Sequence, residues 1–232
     1  VVTDLAPTPR PVLGRTFAAV LFDMDGTLIS SVESVVRSWT RLAEEFRIPA
    51  ERFGDFHGIP ARDLLEVLLP DRPAAERQRA LERITELEIS DVAGVRTLPG
   101  AEAALAAANG RCAVVTSSNR ALARARLEAS GLPTSSVLVT ADDVTLGKPA
   151  PEPFVLAAAR LGVDVVDCLV VEDATAGIIA GRAAGASTLA LTTTTARIVA
   201  DLVVPDLSAV RLTAAPGGVL VAAVSVSGLV DG

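Results

Sequence analysis

The sequence predicts an α/β protein: a doubly wound parallel sheet, interrupted by an inserted α-helical cap domain and closed by a C-terminal β-hairpin. Three observations carry this expectation. The apolar runs Ala18 to Phe22, Ala113 to Val115 and Leu169 to Val171 lack period-two alternation, as strands covered on both faces require. Helical stretches with proline starts and glycine ends alternate with such runs over residues 97 to 205, the pattern of a doubly wound sheet. Between Ser31 and Arg96 that alternation gives way to helix throughout. The chain has 232 residues, 50% of them hydrophobic, enough for a sizeable core and one to two domains.

Taken in order, residues 1–14 hold Asp4, Arg10 and three prolines and no apolar h-region, so they read as a flexible leader rather than a signal peptide. The first strand follows at Ala18 to Phe22. In the insert, Val32, Val35, Val36, Trp39, Leu42, Ala43 and Phe46 recur at helical spacing, and Ser30 with Glu33 forms a capping box at the start. Further helices run from Pro60 to Leu69 and from Pro73 to Ser90, both opened by proline. Core helices are expected over Pro99-Gly100 to Asn109-Gly110, Asn119 to Gly131, Pro151 to Gly162 and Ala174 to Gly185. Ser187 to Leu191 supplies a fourth strand and Leu202 to Val204 a fifth. Val210 to Ala214, Pro216-Gly217-Gly218 and Val219 to Val226 read as the hairpin, whose last residues could instead be a disordered tail. The expected domains are a core over 15–30 and 97–208, a cap over 31–96, and a hairpin with tail over 209–232.

Composition excludes several classes. With 21 basic and 28 acidic side chains, a formal charge of -7, no basic face is available for nucleic acid or an anionic membrane. The most apolar stretch, Val219 to Val230, is broken by Ser225, Ser227 and Gly228 and is shorter than the ~18 residues of a membrane span. Cys112 and Cys168 form no CxxC and read as buried, inert thiols. A cytoplasmic monomer or weak homodimer is expected. Twenty of the 21 basic residues are Arg, and Lys148 is the single Lys. His57, Met24 and Trp39 are also the only residues of their types.

In an open parallel sheet, ligands bind beyond the carboxyl ends of the strands, where loop amides and helix N-termini converge. After Phe22 comes Asp23-Met24-Asp25-Gly26-Thr27, after Val115 comes Thr116-Ser117-Ser118-Asn119, and after Val171 comes Glu172-Asp173. Four carboxylates on one edge repel one another unless a cation joins them, and an all-oxygen set favours Mg²⁺. Hydroxyls and amides opposite such a metal suit phosphate oxygens, and Lys148, in Gly147-Lys148-Pro149, can supply the balancing charge. Each motif also has a plain structural role open to it: a turn at Asp23 to Gly26, an N-cap run at Thr116 to Asn119, a solvated helix start at Glu172-Asp173. Met24 and Trp39 are expected in the core.

These four motifs, in this order at strand ends, resemble those of the haloacid dehalogenase (HAD) superfamily of aspartyl-phosphate phosphatases. The insert stands where that family's C1-type helical cap lies, and the resemblance spans nearly all of residues 16 to 205. It implies that Asp23 is the nucleophile and Asp25 the general acid and then the base. It further implies Mg²⁺ held by Asp23, the backbone carbonyl of Asp25 and Asp173, with Glu172 beside the metal. Thr116, the Ser117 amide, Asn119 and Lys148 would bind the phosphoryl group. His57-Gly58 looks like the cap loop of sugar and polyol phosphate phosphatases, which makes His57, Gly58 and Arg62 candidate substrate contacts. The expected reaction is Mg²⁺-dependent hydrolysis of a small phosphate monoester, with the cap hinged near Ile29 to Ser31 and Val95 to Pro99.

Two other readings stand beside it. A β-phosphoglucomutase-like protein carries a G-x-S-R cap loop, a cap histidine and a cap lysine. Here Ala61 ends the corresponding loop, Val35 holds the histidine position and no second lysine exists, with Arg62 as a partial substitute. A non-catalytic interaction module would use the hairpin as a docking edge.

Overall fold

The computed structural model describes residues 9–54, 60–108, 110–133 and 135–224. The chain enters through β1 (Thr16–Phe17) and β2 (Ala19–Phe22), turns through β3 (Ile29–Ser30), and passes into three helices, α1 (Val32–Phe46), α2 (Ala61–Leu68) and α3 (Ala74–Ser90). It returns through β4 (Arg96–Thr97) to α4 (Ala101–Ala107), β5 (Cys112–Val115), α5 (Arg120–Ser130) and β6 (Val137–Val139). Then follow α6 (Glu152–Leu161), β7 (Cys168–Glu172), α7 (Thr175–Ala183), β8 (Ser187–Leu191), β9 (Leu202–Val204) and the hairpin strands β10 (Val210–Ala215) and β11 (Gly218–Ala223).

Six parallel strands form the main sheet in the order β6-β5-β2-β7-β8-β9, with β2 paired to β5 on one side and to β7 on the other. The sheet is covered on both faces, which is why its strands show no alternation. Val20 and Phe22 join one core cluster with Leu105, Ala123 and Leu127, while Ala19 and Leu21 join another with Phe154, Ala157 and Ala158. The cap has an apolar cluster of its own around Leu42, Leu64, Leu65, Leu68, Ile84 and Leu87. Chain entry to the cap and exit from it run side by side, because β3 pairs antiparallel with β4.

Five features depart from the sequence expectations. The edge strand β6 went unread: it is a three-residue apolar triplet, only partly covered, too short to show a pattern. Helix α1 does not bury the whole of its apolar stripe. Ser34, Ser38 and Leu42 are its buried residues, whereas Val32 and Val36 are exposed, since the small serines let α1 pack closely on α3. The Ser30–Glu33 capping box is not formed, because the N-cap is Ser31 and its side chain makes no cap bond. Residues 10–14, placed in the leader, are tied to the body of the protein: Val12 is buried, Gly14 N–H donates to the Val221 carbonyl at 2.7 Å, and Arg10 donates to the Gly185 carbonyl at 2.6 Å. The hairpin is built into the core, and among the described residues only its β10 strand keeps an unpaired edge. Strand β11 lies between β10 and β1, and Val210, Leu212, Val219 and Val221 belong to the main core with Ala101, Ala104 and Leu105 of α4.

Other expectations hold. Gly131 and Gly162 end α5 and α6 in the left-handed conformation, and Met24 is fully buried. Trp39 packs against the cap cluster, edge-on to Phe53 with ring centroids 6.3 Å apart. Both cysteines are free and buried, and burial pushes the Cys168 thiol up to about 12, the behaviour of an inert thiol. No helix among the described residues is long and apolar enough to cross a membrane.

Candidate active site

Three central strands deliver the chemistry. Asp23 follows β2 directly, and its N–H donates to the Val171 carbonyl at 2.9 Å, so it extends the ladder to the sheet edge. The chain then turns tightly: the Met24 carbonyl accepts from Leu28 at 2.9 Å and Ile29 at 3.1 Å, and Gly26 N–H donates to the Ile29 carbonyl at 2.7 Å. Gly26 adopts φ +88, and a Cβ there would lie 2.1 Å from Asp173 Oδ2, so both conformation and space require glycine. Strand β5 delivers Thr116, which is buried and whose hydroxyl accepts the Ser118 N–H at 3.1 Å. Strand β7 ends in Glu172, followed by Asp173, both buried.

Lys148 joins these ends. From the turn before α6 its ammonium donates to Asp23 Oδ1 at 2.6 Å, to Glu172 Oε1 at 2.7 Å and to the Val115 carbonyl at 2.8 Å. All three N–H bonds are therefore used, and the Phe154 ring packs 5.2 Å from the nitrogen. Glu172 spends its other oxygen on the N–H groups of Asp173 and Ala174, each at 3.0 Å, and so orients Lys148 while starting α7. Asp173 receives the hydroxyl of Thr27 at 3.2 Å and that of Thr194.

Asp23, Glu172 and Asp173 each offer a carboxylate oxygen within 4.8 Å of the others, and one ammonium faces the three. Burial raises the Asp23 pKa, repulsion from Glu172 raises it further, and Lys148 opposes both. Burial and the Asp23 charge push Asp173 up to about 7, against its bonds from Thr194 and Thr27. Glu172 is also raised, chiefly by burial. Burial acts against the Lys148 charge, yet Asp23 and Glu172 outweigh it and hold its pKa above the ordinary lysine value. The edge thus carries more negative charge than the chain itself compensates, so its donor set fits a hard divalent cation.

One helix position makes room for this arrangement. A Cβ on Gly177 would lie 1.8 Å from Glu172 Oε1, the oxygen that holds Lys148. Helix propensity alone favours Ala over Gly by about 1 kcal/mol. The clash reverses that sign: Gly177→Ala is expected to destabilise by roughly 1–3 kcal/mol in denaturant unfolding and to lower turnover. A stabilised variant with unchanged turnover would refute the packing argument.

Asp25 stands apart from the acidic cluster. Its Oδ1 accepts from the Ser31 hydroxyl at 2.6 Å, and its Oδ2 faces Arg126 Nη1 at 3.0 Å and Ser118 Oγ at 3.5 Å. Asn119 is the N-cap of α5, its Oδ1 accepting from Leu122 N–H at 2.9 Å, while Ser117 is exposed. Arg62 is exposed on the cap, in a groove lined by residues of α2 and by Ala74 to Leu81 near the start of α3, so the structure does not join it to the strand ends. His57 and Gly58 lie outside the described residues. The supporting groups Thr27, Ser31, Arg126, Val115 and Thr194 were not read from sequence as part of the site, apart from Thr27's place in the first motif. For Thr194 a signal exists in the run of four threonines, 192–195, that directly follows β8.

A parallel sheet with this acidic edge is the setting of a hydrolase family that the chain belongs to: residues 17–185 match the haloacid dehalogenase-like hydrolase family. Among curated relatives, hexitol phosphatase A of Escherichia coli is 37% identical, covering 85% of this chain and 95% of that protein. Validoxylamine A 7'-phosphate phosphatase of Streptomyces hygroscopicus is 34% identical, covering 84% and 96%. Among solved structures, a hydrolase from Pseudomonas syringae has a TM-score of 0.69 at 27% identity, covering 82% of this chain and 94% of that one.

Proposed function

We propose that the protein is a Mg²⁺-dependent phosphatase that hydrolyses a small phosphate monoester, of a sugar or sugar alcohol, through an aspartyl phosphate. One observation carries the reading: Lys148 ties the acid after β2 to the acid ending β7, directly beside Thr116 at the end of β5. The relatives that match most of the chain are named as phosphatases of such esters, which supports the substrate class. In the proposed reaction an Asp23 oxygen attacks phosphorus, the ester P–O bond breaks, and Asp25 gives its proton to the leaving alkoxide. Water then attacks phosphorus, Asp25 takes a proton from it, and the P–O bond to Asp23 breaks to release phosphate. Splitting the reaction lowers each barrier relative to direct attack by water. Thr116 and the Ser117 amide hold the phosphoryl oxygens as their charge shifts, and Lys148, fixed by its three bonds, supplies the positive charge beside them.

Asp23 and Asp173, with the backbone carbonyl of Asp25, would hold Mg²⁺, and Glu172 would stand beside it. When bound, the ion offsets charge on the phosphoryl oxygens. The test is a phosphate-release screen over sugar, polyol and nucleotide monophosphates with Mg²⁺, with interconversion of glucose 1-phosphate and glucose 6-phosphate followed in parallel. Release from hexitol monophosphates is expected. Interconversion without release would instead establish the mutase reading, and inactivity on every ester would overturn the proposal.

A pH-dependent metal effect follows. Burial and the nearby Asp23 charge raise Asp173 in the folded protein to about 7, well above the ordinary value of 3.8 for an Asp. Below about pH 7 the native state therefore keeps a proton that the unfolded chain has lost, and the stability of the metal-free protein falls as pH rises between those values. Mg²⁺ binds the ionised form, so its stabilising effect should be small at pH 5 and large at pH 8. At a Mg²⁺ concentration of 100 Kd the gain at pH 8 is about 2.7 kcal/mol, or roughly 5–11 °C in Tm. Thermal scans in Mg²⁺ and in EDTA at both pH values check it, and equal increments would refute it.

A further inference from the structure

We propose that Arg126 is a positioning residue that couples the seating of the cap to the placement of Asp25. The inference rests on the phosphatase reading for the role of Asp25. Arg126 belongs to the core helix α5, yet its guanidinium bridges two acids from different parts of the molecule. Nη1 faces Asp25 Oδ2 at 3.0 Å, and Nη2 donates to Glu88 Oε1 at 3.2 Å. Glu88 lies on the cap helix α3, which packs on α5. Arg126 and the cap end of the bridge are enclosed, at 4% exposure for Arg126 and 8% for Glu88, while Asp25 at the other end is partly exposed.

A buried guanidinium requires counter-charge, and here one acid comes from the catalytic loop and the other from the cap. The third donor, Nε, is buried and has no hydrogen-bond partner among the described residues. The fork is thus placed to span the two carboxylates and not to maximise its own hydrogen bonds. Withdrawing Glu88 would leave the buried guanidinium with only one of its two counter-charges, the partly exposed Asp25, an unfavourable change, so cap contact and the grip on Asp25 support each other. The cap entrance adds a second hold. Ser31, immediately before α1, donates to the other oxygen of Asp25 at 2.6 Å. One oxygen of Asp25 is therefore held from the cap entrance and the other faces a guanidinium paired with a cap acid, with Ser118 of the core 3.5 Å from that same oxygen. Lys148, by contrast, serves Asp23 and Glu172.

A group that places a general acid matters most when the leaving group needs a proton. The test therefore compares an alkyl phosphate that the wild type hydrolyses, sorbitol 6-phosphate if the screen supports it, with p-nitrophenyl phosphate, whose leaving phenolate needs little protonation. Arg126→Met is expected to lower kcat about 100-fold on the alkyl ester, the scale of general-acid catalysis, with KM changing far less and with a clearly smaller loss on the aryl ester. Glu88→Gln should shift the ratio of the two rates the same way by a smaller factor, and Arg126→Lys should recover part of the loss. Equal losses on both esters would overturn the positioning role and indicate a structural one. If circular dichroism shows that Arg126→Met does not fold, the rate ratios of Glu88→Gln and Arg126→Lys decide. A wild type active on both esters with an unchanged ratio in the variants refutes this proposal alone, whereas a wild type inactive on every monoester refutes the phosphatase reading and this proposal with it.

Discussion

Asp23→Asn should abolish phosphate release while leaving the fold intact, with turnover falling by about 10⁴-fold or more, the scale on which hydrolases lose activity without their nucleophile. Asparagine fills the same space at the end of β2 and keeps the backbone bond to Val171. It also removes one charge from an acidic cluster in which Asp23 and Asp173 repel each other, so repulsion is relieved as the bond from Lys148 weakens. Melting temperature should therefore stay within a few degrees of wild type, whereas the chemistry has no substitute. Phosphate release under saturating Mg²⁺ and mass spectrometry of the peptide containing residue 23 after a rapid acid quench check the two halves. Wild type should show a phosphoryl adduct on that peptide and the variant none. An active Asp23→Asn protein would sink the nucleophile assignment.

Lys148→Met should have the second largest effect, and it should strike stability as well as rate. The ammonium has one acceptor for each of its three N–H bonds, and two of them are buried carboxylates. Removing the cation leaves Asp23 and Glu172 buried without their partner, a loss of about 3–5 kcal/mol in metal-free protein. For a chain of this size that corresponds to roughly 6–20 °C in Tm. Mg²⁺ should return part of this stability without restoring turnover, because phosphate still lacks its fixed cation, and kcat should remain about 10²–10³-fold low. Lys148→Arg is expected to rescue poorly, since a planar fork cannot reproduce three bonds from one tetrahedral nitrogen in a space bounded by Phe154. Full activity in Lys148→Arg would refute the geometric argument. Thermal scans in EDTA and Mg²⁺, with phosphate release, separate the stability and rate effects.

Much of this site was legible because its parts are local. An apolar run followed by acids or hydroxyls marks a strand and its carboxyl end, and Asp23, Thr116, Glu172 and Asp173 could each be placed from a few flanking residues. Lys148 was legible through its rarity and the proline beside it. Illegible features depended on contacts between remote segments. Strand β6 is too short to carry a pattern and exists as a strand through pairing with β5. The face that α1 buries is set by α3, so two serines are covered while Val32 and Val36 are not. Ser31 lies within the expected hinge, and only the return of the Asp25 loop shows where its hydroxyl goes.

By itself, then, the sequence determined the fold class, the helical insert, the order of the motif-bearing strand ends and the chemical types of the groups on them. Those follow from periodicity, turn residues and composition, which act over a few residues. Tertiary structure decided how those groups pair. Lys148 reaches Asp23 across 125 residues of sequence, and Arg126 reaches Glu88 across 38. It also decided that the hairpin packs into the core and that Asp25 turns toward Ser31 and Arg126 instead of the acidic cluster. The physical reason is that a charge buried in a protein is defined by what lies within a few ångströms of it, and chain order does not contain that distance.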